Sequence, residues 1–298
     1  MTQALLILIT FSFIVSCTSN KSEIGTSANP IKISLVPGQD TKLLQENGKK
    51  FEAYLEEKTG LAFDVNVPAS YVAVIEALGS NRADLAIMNT FGYIIAQEKY
   101  GAEAALTGVF KGREVYWGQI IARKDGPKSI KELNNKRIAF VDPSSGSGFV
   151  LPSKLLKDEN VKPKEVVFAG RHDSVVTMVY QRRVDAGATY HTPIDNGVPQ
   201  DARKLVVTQF PDVFDKIAII AMTEPIPNDP VVFRKDFPAD VRKTVVDTIK
   251  KMVKDEKGAK IIYDLYYMDD FKDANPKDFD KVKQMLLDLG KSANELIK

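Results

Sequence analysis

The stretch "RIAFVDPSSGSGFVLPSKLLKDE", Arg137 to Glu159, carries the fold in miniature. Ile138 to Val141 form a short apolar run after the polar "NNKR". Asp142 and Pro143 end it, and Ser144 to Gly148 consist of only Ser and Gly. Apolar periodicity returns in the segment that follows. Strand, small-residue loop and helix in that order form one unit of an α/β fold. Such a loop exposes backbone N–H groups at a helix N-terminus, where the macrodipole favours negative charge. The hydroxyls of Ser144, Ser145 and Ser147 add donors, which suits a tetrahedral oxyanion. No Gly-Lys-Ser/Thr follows at P-loop spacing, and Leu151 stands where a dinucleotide fingerprint needs its third Gly. Taken alone, the loop reads equally well as a structural turn.

Strand and helix signals alternate on both sides of this unit. Upstream, "IKISLV" (31–36) and "AFDVNVP" (62–68) read as strands around a helix whose face carries Leu44, Phe51, Tyr54 and Leu55. "YVAVIEALGS" (71–80) is helical, and "ADLAIM" (83–88) is the next strand. That order predicts a mainly parallel sheet with helices on both faces. A long strand, "VYWGQIIAR" (115–123), opens a second set. A capping box at Ser129 and Glu132 precedes the central unit. Downstream, "EVVFAG", "DSVVTMVYQRR", "VDAGATY", "KLVVT" and "IAIIAMT" continue the alternation. After the proline-studded "EPIPNDPVVF", the chain from Ala239 onward reads as helical. Two α/β sets joined by two extended crossings imply two lobes with a cleft between them.

The chain has 298 residues, 44% hydrophobic and 27% charged, with net charge +2. That balance gives no reason to expect nucleic acid as a partner. Ala4 to Val15 is an apolar run too short to span a bilayer but suited to the core of a signal peptide. The only cysteine, Cys17, follows at once after Ser16. This pattern resembles the lipobox of bacterial lipoproteins and makes Cys17 the expected lipidation site. Residues 1–16 are then the signal peptide, and residues 17–30 a lipid-anchored flexible tether. No Lys or Arg precedes the apolar core, a departure from that pattern that points to a start codon further upstream. With two histidines and one lipidated cysteine, a zinc site of the usual kind is not expected.

From about Ile31 to Lys260 the chain resembles the phosphate/phosphite/phosphonate-binding proteins of bacterial ABC importers. Five ordered blocks carry the resemblance: "YVAVIEAL", "RADLAIMNTFGYIIA", "KSIKELNNKRIAFVDPSSGSGFVLP", "AGRHDSVVTMVYQRRVDAGATY" and "PIPNDPVVFRKDFP". It implies a type II periplasmic binding protein, two α/β lobes joined by a two-stranded hinge with the ligand in the cleft. Lobe 1 is expected from residues 31–117 and 223–298, and lobe 2 from 118–222, with the hinge near Trp117–Gly118 and Ala221–Thr223.

The same resemblance assigns the site. Ser145, Gly146 and Ser147 fall on the anion-binding loop, where Gly146 replaces the usual Thr and contributes only its N–H. Tyr71 and Tyr93 fall where relatives use aromatic residues facing the ligand. Asn89 and Thr90 end a parallel strand, the usual place for a site in such sheets. His172, Asp173, Tyr190 and His191 come from the second lobe. Tyr116, near the first crossing, reads as half-buried packing.

The expected function is a lipid-anchored receptor outside the cytoplasm, a monomer without a cofactor. It captures a small phosphorus oxyanion and delivers it to an ABC permease and its ATPase. Two alternatives stand beside it: an anion-sensing subunit of a signalling receptor, and a hydrolase of phosphorus esters. There is no G-x-S-x-G elbow, and Ser147, His172 and Asp173 would have to assemble for hydrolysis. Aminophosphonate-binding relatives carry a carboxylate after the Ala-Thr-Tyr segment, where this chain has His191. That implies an amine-free ligand; an amine would need Asp173 or Asp195 as its partner.

Overall fold

The computed structural model describes residues 23–288. Cys17 and the signal segment lie outside the described residues. Residues 23–30, expected as tether, fold onto the first lobe instead. Gly25 N donates to Asn29 O at 2.8 Å, and Ala62 N donates to Gly25 O at 2.7 Å. Ile24 packs against the apolar cluster beneath that lobe. An apolar residue inside the polar run was enough to anchor it.

The first sheet contains β1 (Ile31–Leu35), β2 (Phe63–Asn66), β3 (Leu85–Ile87), β4 (Glu103–Val109), β10 (Pro230–Phe233) and β11 (Asp270–Asp273). Their spatial order is β11-β4-β10-β3-β1-β2. The second contains β5 (Val115–Arg123), β6 (Arg137–Phe140), β7 (Glu165–Phe168), β8 (Ala186–His191) and β9 (Ile217–Pro227), in the order β7-β6-β8-β5-β9. The expected mainly parallel sheet holds only for part of each lobe. β1 pairs parallel with β2 and β3, and β6 with β7 and β8. Every ladder involving β4, β5, β9, β10 or β11 is antiparallel. The reason is topological: a chain that crosses to the second lobe and returns enters each sheet without a βαβ crossover.

Helix α1 (Thr41–Thr59) forms where the periodicity placed it. Asp40 caps it by accepting from Leu43 N, Gly60 ends it in the left-handed region, and Leu44, Phe51, Tyr54 and Leu55 are buried. Full burial of a side chain such as Phe51 or Leu55 contributes about 1.5–3 kcal/mol. Helices α2 (Tyr71–Gly79) and α3 (Thr90–Tyr100) complete the first lobe, with α7 (Ala239–Met252), α8 (Glu256–Tyr266) and α9 (Asp280–Asp288) from the C-terminal part. Strand β11 interrupts that part, which the sequence reads as helical throughout. Helices α4 (Leu151–Asp158), α5 (His172–Tyr180) and the short α6 (Val213–Lys216) belong to the second lobe. The "KLVVT" segment forms a 3-10 turn over Ala202–Val206, not a strand. One apolar cluster runs through both lobes, while each sheet has its own cluster on the other face.

The crossings differ from expectation. All of β5 and β9 pair within the second sheet, with Val115 opposite Pro227. Trp117 and Gly118, expected in the hinge, therefore lie within the second lobe. The chain changes lobe between β4 and β5 and again at Pro227–Pro230. Asn228 clasps the two crossings: its backbone N donates to Glu114 O, and its Nδ2 donates to Gly108 O and Arg113 O at 3.0 and 2.9 Å. Pro225 and Pro227 are tolerated because β9 is an edge strand.

Candidate functional site

A cavity of about 140 Å³ opens between the lobes, well above the 10–15 Å³ that admits one water. Lobe 1 supplies the β1–α1 turn at Gly38 and Gln39, Tyr71 at the start of α2, and Asn89 before α3. Ser70 caps α2 by accepting from Ala73 N, which fixes the turn that carries Tyr71. Lobe 2 supplies Ser145 and Ser147 from the Ser/Gly loop, His172 at the start of α5, and Tyr190 near the end of β8. The start of β5 supplies Tyr116, the return crossing supplies Asn228 and Asp229, and the end of α8 supplies Tyr266 and Tyr267.

The Ser/Gly loop is a wide turn of the π type over Gly146–Val150 that leads into α4. Phe149 N and Val150 N both donate to Ser145 O at 3.0 Å. Asp142 Oδ1 accepts from Ser144 N and Ser144 Oγ at 2.9 and 2.6 Å, so the Ser144 hydroxyl is consumed inside the loop. Ser145 Oγ accepts from Gly148 N. First-turn N–H groups, here those of Gly146 and Ser147, have no intrahelical acceptor. The side chains of Ser145 and Ser147 lie within reach of the Tyr71 and Tyr116 hydroxyls, respectively.

The electrostatics are unusual for an anion site, because no Lys or Arg is among the residues lining the cavity. Burial pushes the hydroxyls of Tyr71, Tyr116, Tyr190 and Tyr266 well above the usual phenol range, so all remain protonated donors. Burial holds His172 down to about 3, so its ring is neutral. His172 Nδ1 lies 2.7 Å from Thr189 Oγ1. With the Thr189 hydroxyl as donor, Nε2 carries the ring proton and donates. The site can therefore hold an anion through neutral donors and the dipoles of converging helix N-termini.

Of the expected site residues, the structure gathers Tyr71, Asn89, Ser145, Ser147, His172 and Tyr190 around the cavity. Five others are not on its wall. Tyr93 is a core residue: its hydroxyl accepts from Gln97 Nε2 and its ring meets Phe279 edge-on. Thr90 Oγ1 donates to Pro227 O at 2.7 Å and so ties α3 to the return crossing. Gly146 faces the buried Phe91 ring of lobe 1, which any Cβ at that position would overlap. Its lack of a side chain serves the lobe contact. Asp173 lies beside Arg171, Oδ1 to Nε 3.3 Å, at an angle that makes no hydrogen bond. His191 Nδ1 lies 3.0 Å from Gln119 Oε1, in a lobe 2 network that continues through Asp201 to Arg203.

Two consequences follow. His191 does not carry the argument for an amine-free ligand, since it is engaged elsewhere. The hydrolase arrangement also fails to assemble, because His172 pairs with Thr189 while Asp173 sits off the cavity wall.

The sequence reading missed Asp229, Asn228, Tyr266 and Tyr267, and it assigned Tyr116 to packing. The signal for the first two was present: a polar Asn-Asp pair between prolines in "PIPNDP". For the tyrosines it was "YDLYYM", a helix end without Gly. Tyr267 caps α8 at φ 57, a left-handed position costly for a bulky side chain. That sharp turn brings two consecutive tyrosines to the same wall.

Two sheets of this topology with a cavity between them define a two-lobed α/β binding protein of the periplasmic type. The sequence model for "ABC transporter, phosphonate, periplasmic substrate-binding protein" matches residues 33–279, and the chain belongs to that family. The phosphate-import protein PhnD of Mycolicibacterium smegmatis is 26% identical over 199 residues, 60% of this chain and 62% of the relative. The alignment thus spans under two thirds of that relative's length. A binding-protein component of an ABC phosphonate transporter from Pseudomonas aeruginosa superposes with a TM-score of 0.77 at 18% identity, covering 89% of each chain. PhnD1 from Prochlorococcus marinus in complex with methylphosphonate gives 0.75 at 18% identity, covering 88% of this chain and 98% of that one. At these identities the superpositions speak to the fold alone.

Proposed function

We propose that this protein captures a small phosphorus oxyanion, a phosphonate, phosphite or phosphate, by closing its two lobes around it, and delivers the ligand to an ABC permease coupled to an ATPase. One observation carries the reading: neutral donors converge on one cavity from both lobes, Tyr71 from one and Ser145, Ser147 and His172 from the other. A ligand that bonds to both walls favours the closed state by differential binding. Neutral donors converging on one cavity suit an oxyanion with several acceptor oxygens. The names of the relatives point the same way, toward phosphate import in one and a bound methylphosphonate in another.

Within this reading the protein works outside the cytoplasm as a monomer, anchored through a lipid on Cys17. Tethering keeps it near its permease and raises the effective concentration there. A thermal-shift screen of small oxyanions with the purified mature chain tests the ligand class. Phosphorus oxyanions should raise the melting temperature by mass action. A chain stabilised by sulfate or carboxylates and by no phosphorus oxyanion would refute it.

A further inference from the structure

The cavity has two ends of different chemistry. At one end, Tyr71, Tyr116 and Tyr266 all lie close enough to Asp229 to feel its charge, and Ser145 and Ser147 reach the Tyr71 and Tyr116 hydroxyls. His172 and Tyr190, edge-on with ring centroids 5.0 Å apart, lead away from it. Tyr190 in turn lies near Tyr267 and Tyr263. This second end is walled by Leu205 from the Ala202–Val206 turn of lobe 2, by Tyr267 and Met268 after α8, and by Phe110 after β4. Asp269 N donates to Val109 O at 3.0 Å, which sets Met268 next to the strand end that carries Phe110. Gln200 also lines the cavity, but its amide is engaged: Nε2 donates to Val198 O, and Oε1 accepts from Lys204 Nζ.

Two further observations point to a ligand group at the apolar end. The first is room. At 10–15 Å³ per water, 140 Å³ admits about ten water-sized atoms, about twice as many as phosphate or methylphosphonate contains. A head group seated among the donors therefore leaves about half the space, beside walls that offer water few partners. The second is strain. Tyr267 is held at φ 57, and costly backbone of this kind persists where the surroundings enforce it, often at ligand sites. Here it turns an aromatic ring onto the cavity wall.

The charges around this end disfavour an ammonium. Of the residues lining the cavity, only Asp229 carries a carboxylate, and it belongs to the donor end. Lys204 stands over the Tyr267 ring, 5.6 Å from its centroid, and would repel a second cation there. An ammonium buried at this end would go unpaired, at heavy cost.

We propose that Phe110, Leu205, Tyr267 and Met268 form a subsite for the carbon substituent of the ligand, and that the protein selects phosphonates bearing a short apolar group of about two to four carbons. This rests on the functional reading above and names the substrate class within it. Phosphate and phosphite leave the subsite empty, and aminoalkylphosphonates place a charge in it.

The test is calorimetric titration of the wild-type protein with phosphate and with methyl-, ethyl-, propyl- and 2-aminoethylphosphonate. Affinity should rise about fourfold per methylene from methyl to propyl, as burial of each methylene predicts. The aminoethyl compound, nearly the same size as the propyl one, should bind at least about tenfold more weakly than it. Leu205→Asn should cut the propyl-to-methyl affinity ratio at least about threefold. An unchanged ratio in that variant, or tightest wild-type binding by the aminoethyl compound, overturns the proposal. A wild type that binds no phosphorus compound sinks the functional reading itself. A wild type that binds phosphate or methylphosphonate but gains nothing along the alkyl series sinks this inference alone, and that arm needs no variant to fold.

Discussion

Asn89 Nδ2 donates to Ser144 O at 2.8 Å, and this bond crosses the cleft. Both residues are buried, and they tie the start of α3 in lobe 1 to the Ser/Gly loop in lobe 2. A second interlobe bond runs from His172 N to Gly38 O at 3.2 Å. At the rim, Lys111 lies 3.8 Å from Asp195 of the other lobe. These polar contacts join the two lobes across the cleft. Asn89→Ala should remove the buried latch and cost the closed state about 1–3 kcal/mol. Affinity should fall accordingly, about tenfold per 1.4 kcal/mol, and small-angle scattering of the ligand-free protein should show a larger radius of gyration. Unchanged affinity and radius would contradict the latch.

Gly146→Ala should weaken ligand binding by forcing the loop away from Phe91. The Phe91 ring is fully buried and cannot swing clear of an added methyl group. Overpacking of this kind costs about 1–3 kcal/mol. Phe91→Leu in the same chain should restore part of the loss. Equal affinities for the single and double variants would return the effect to the ligand contact that the sequence reading assumed.

The two buried titratable groups of the cavity should pull stability in opposite directions as pH changes. Asp229, raised to about 7, binds protons in the folded state that the unfolded chain releases near ~4. Its contribution is present at low pH and is lost as pH rises toward 7. His172, held at about 3 against an unfolded value near ~6.5, works the other way, and stability is lost as pH falls through that window. Urea unfolding of the ligand-free protein across pH 4–7 separates them. Relative to wild type, Asp229→Asn should gain stability most at the high end of the range, and His172→Asn most at the low end. Parallel profiles for the two variants would rule out these assignments.

Cys17→Ala should release the protein from the membrane or leave it unprocessed. Fractionation of expressing cells, with mass spectrometry of the mature N-terminus, reads the result. An unmodified Cys17 in a freely soluble mature protein would exclude the lipid anchor.

Much of the first half of the fold was legible because its elements obey local rules. Strand β1, helices α1, α2 and α5, and the loop at Ser145 announce themselves by periodicity, caps and small residues. Strands β4, β10 and β11 were not legible, because their place depends on the return of the chain through Pro227–Pro230, a non-local event. The site divides along the same line. Ser145, Ser147 and Tyr71 stand on local strand-to-helix junctions. Asp229, Tyr116 and Tyr267 reach the cavity only through the crossings and the α8 turn, so spacing along the chain says nothing of them. Tyr93 shows the converse error. Its place one turn into α3 was read correctly, but the face it presents was set by packing on Phe279 from the far end of the chain.

The most direct measurement is calorimetric titration of the purified mature protein with phosphite, phosphate and methylphosphonate, with sulfate and a free amino acid alongside. Saturable one-to-one binding of at least one phosphorus oxyanion is expected. Sulfate and the amino acid should bind far more weakly. Tight binding of sulfate or the amino acid, with no heat from any phosphorus compound, would contradict the assignment.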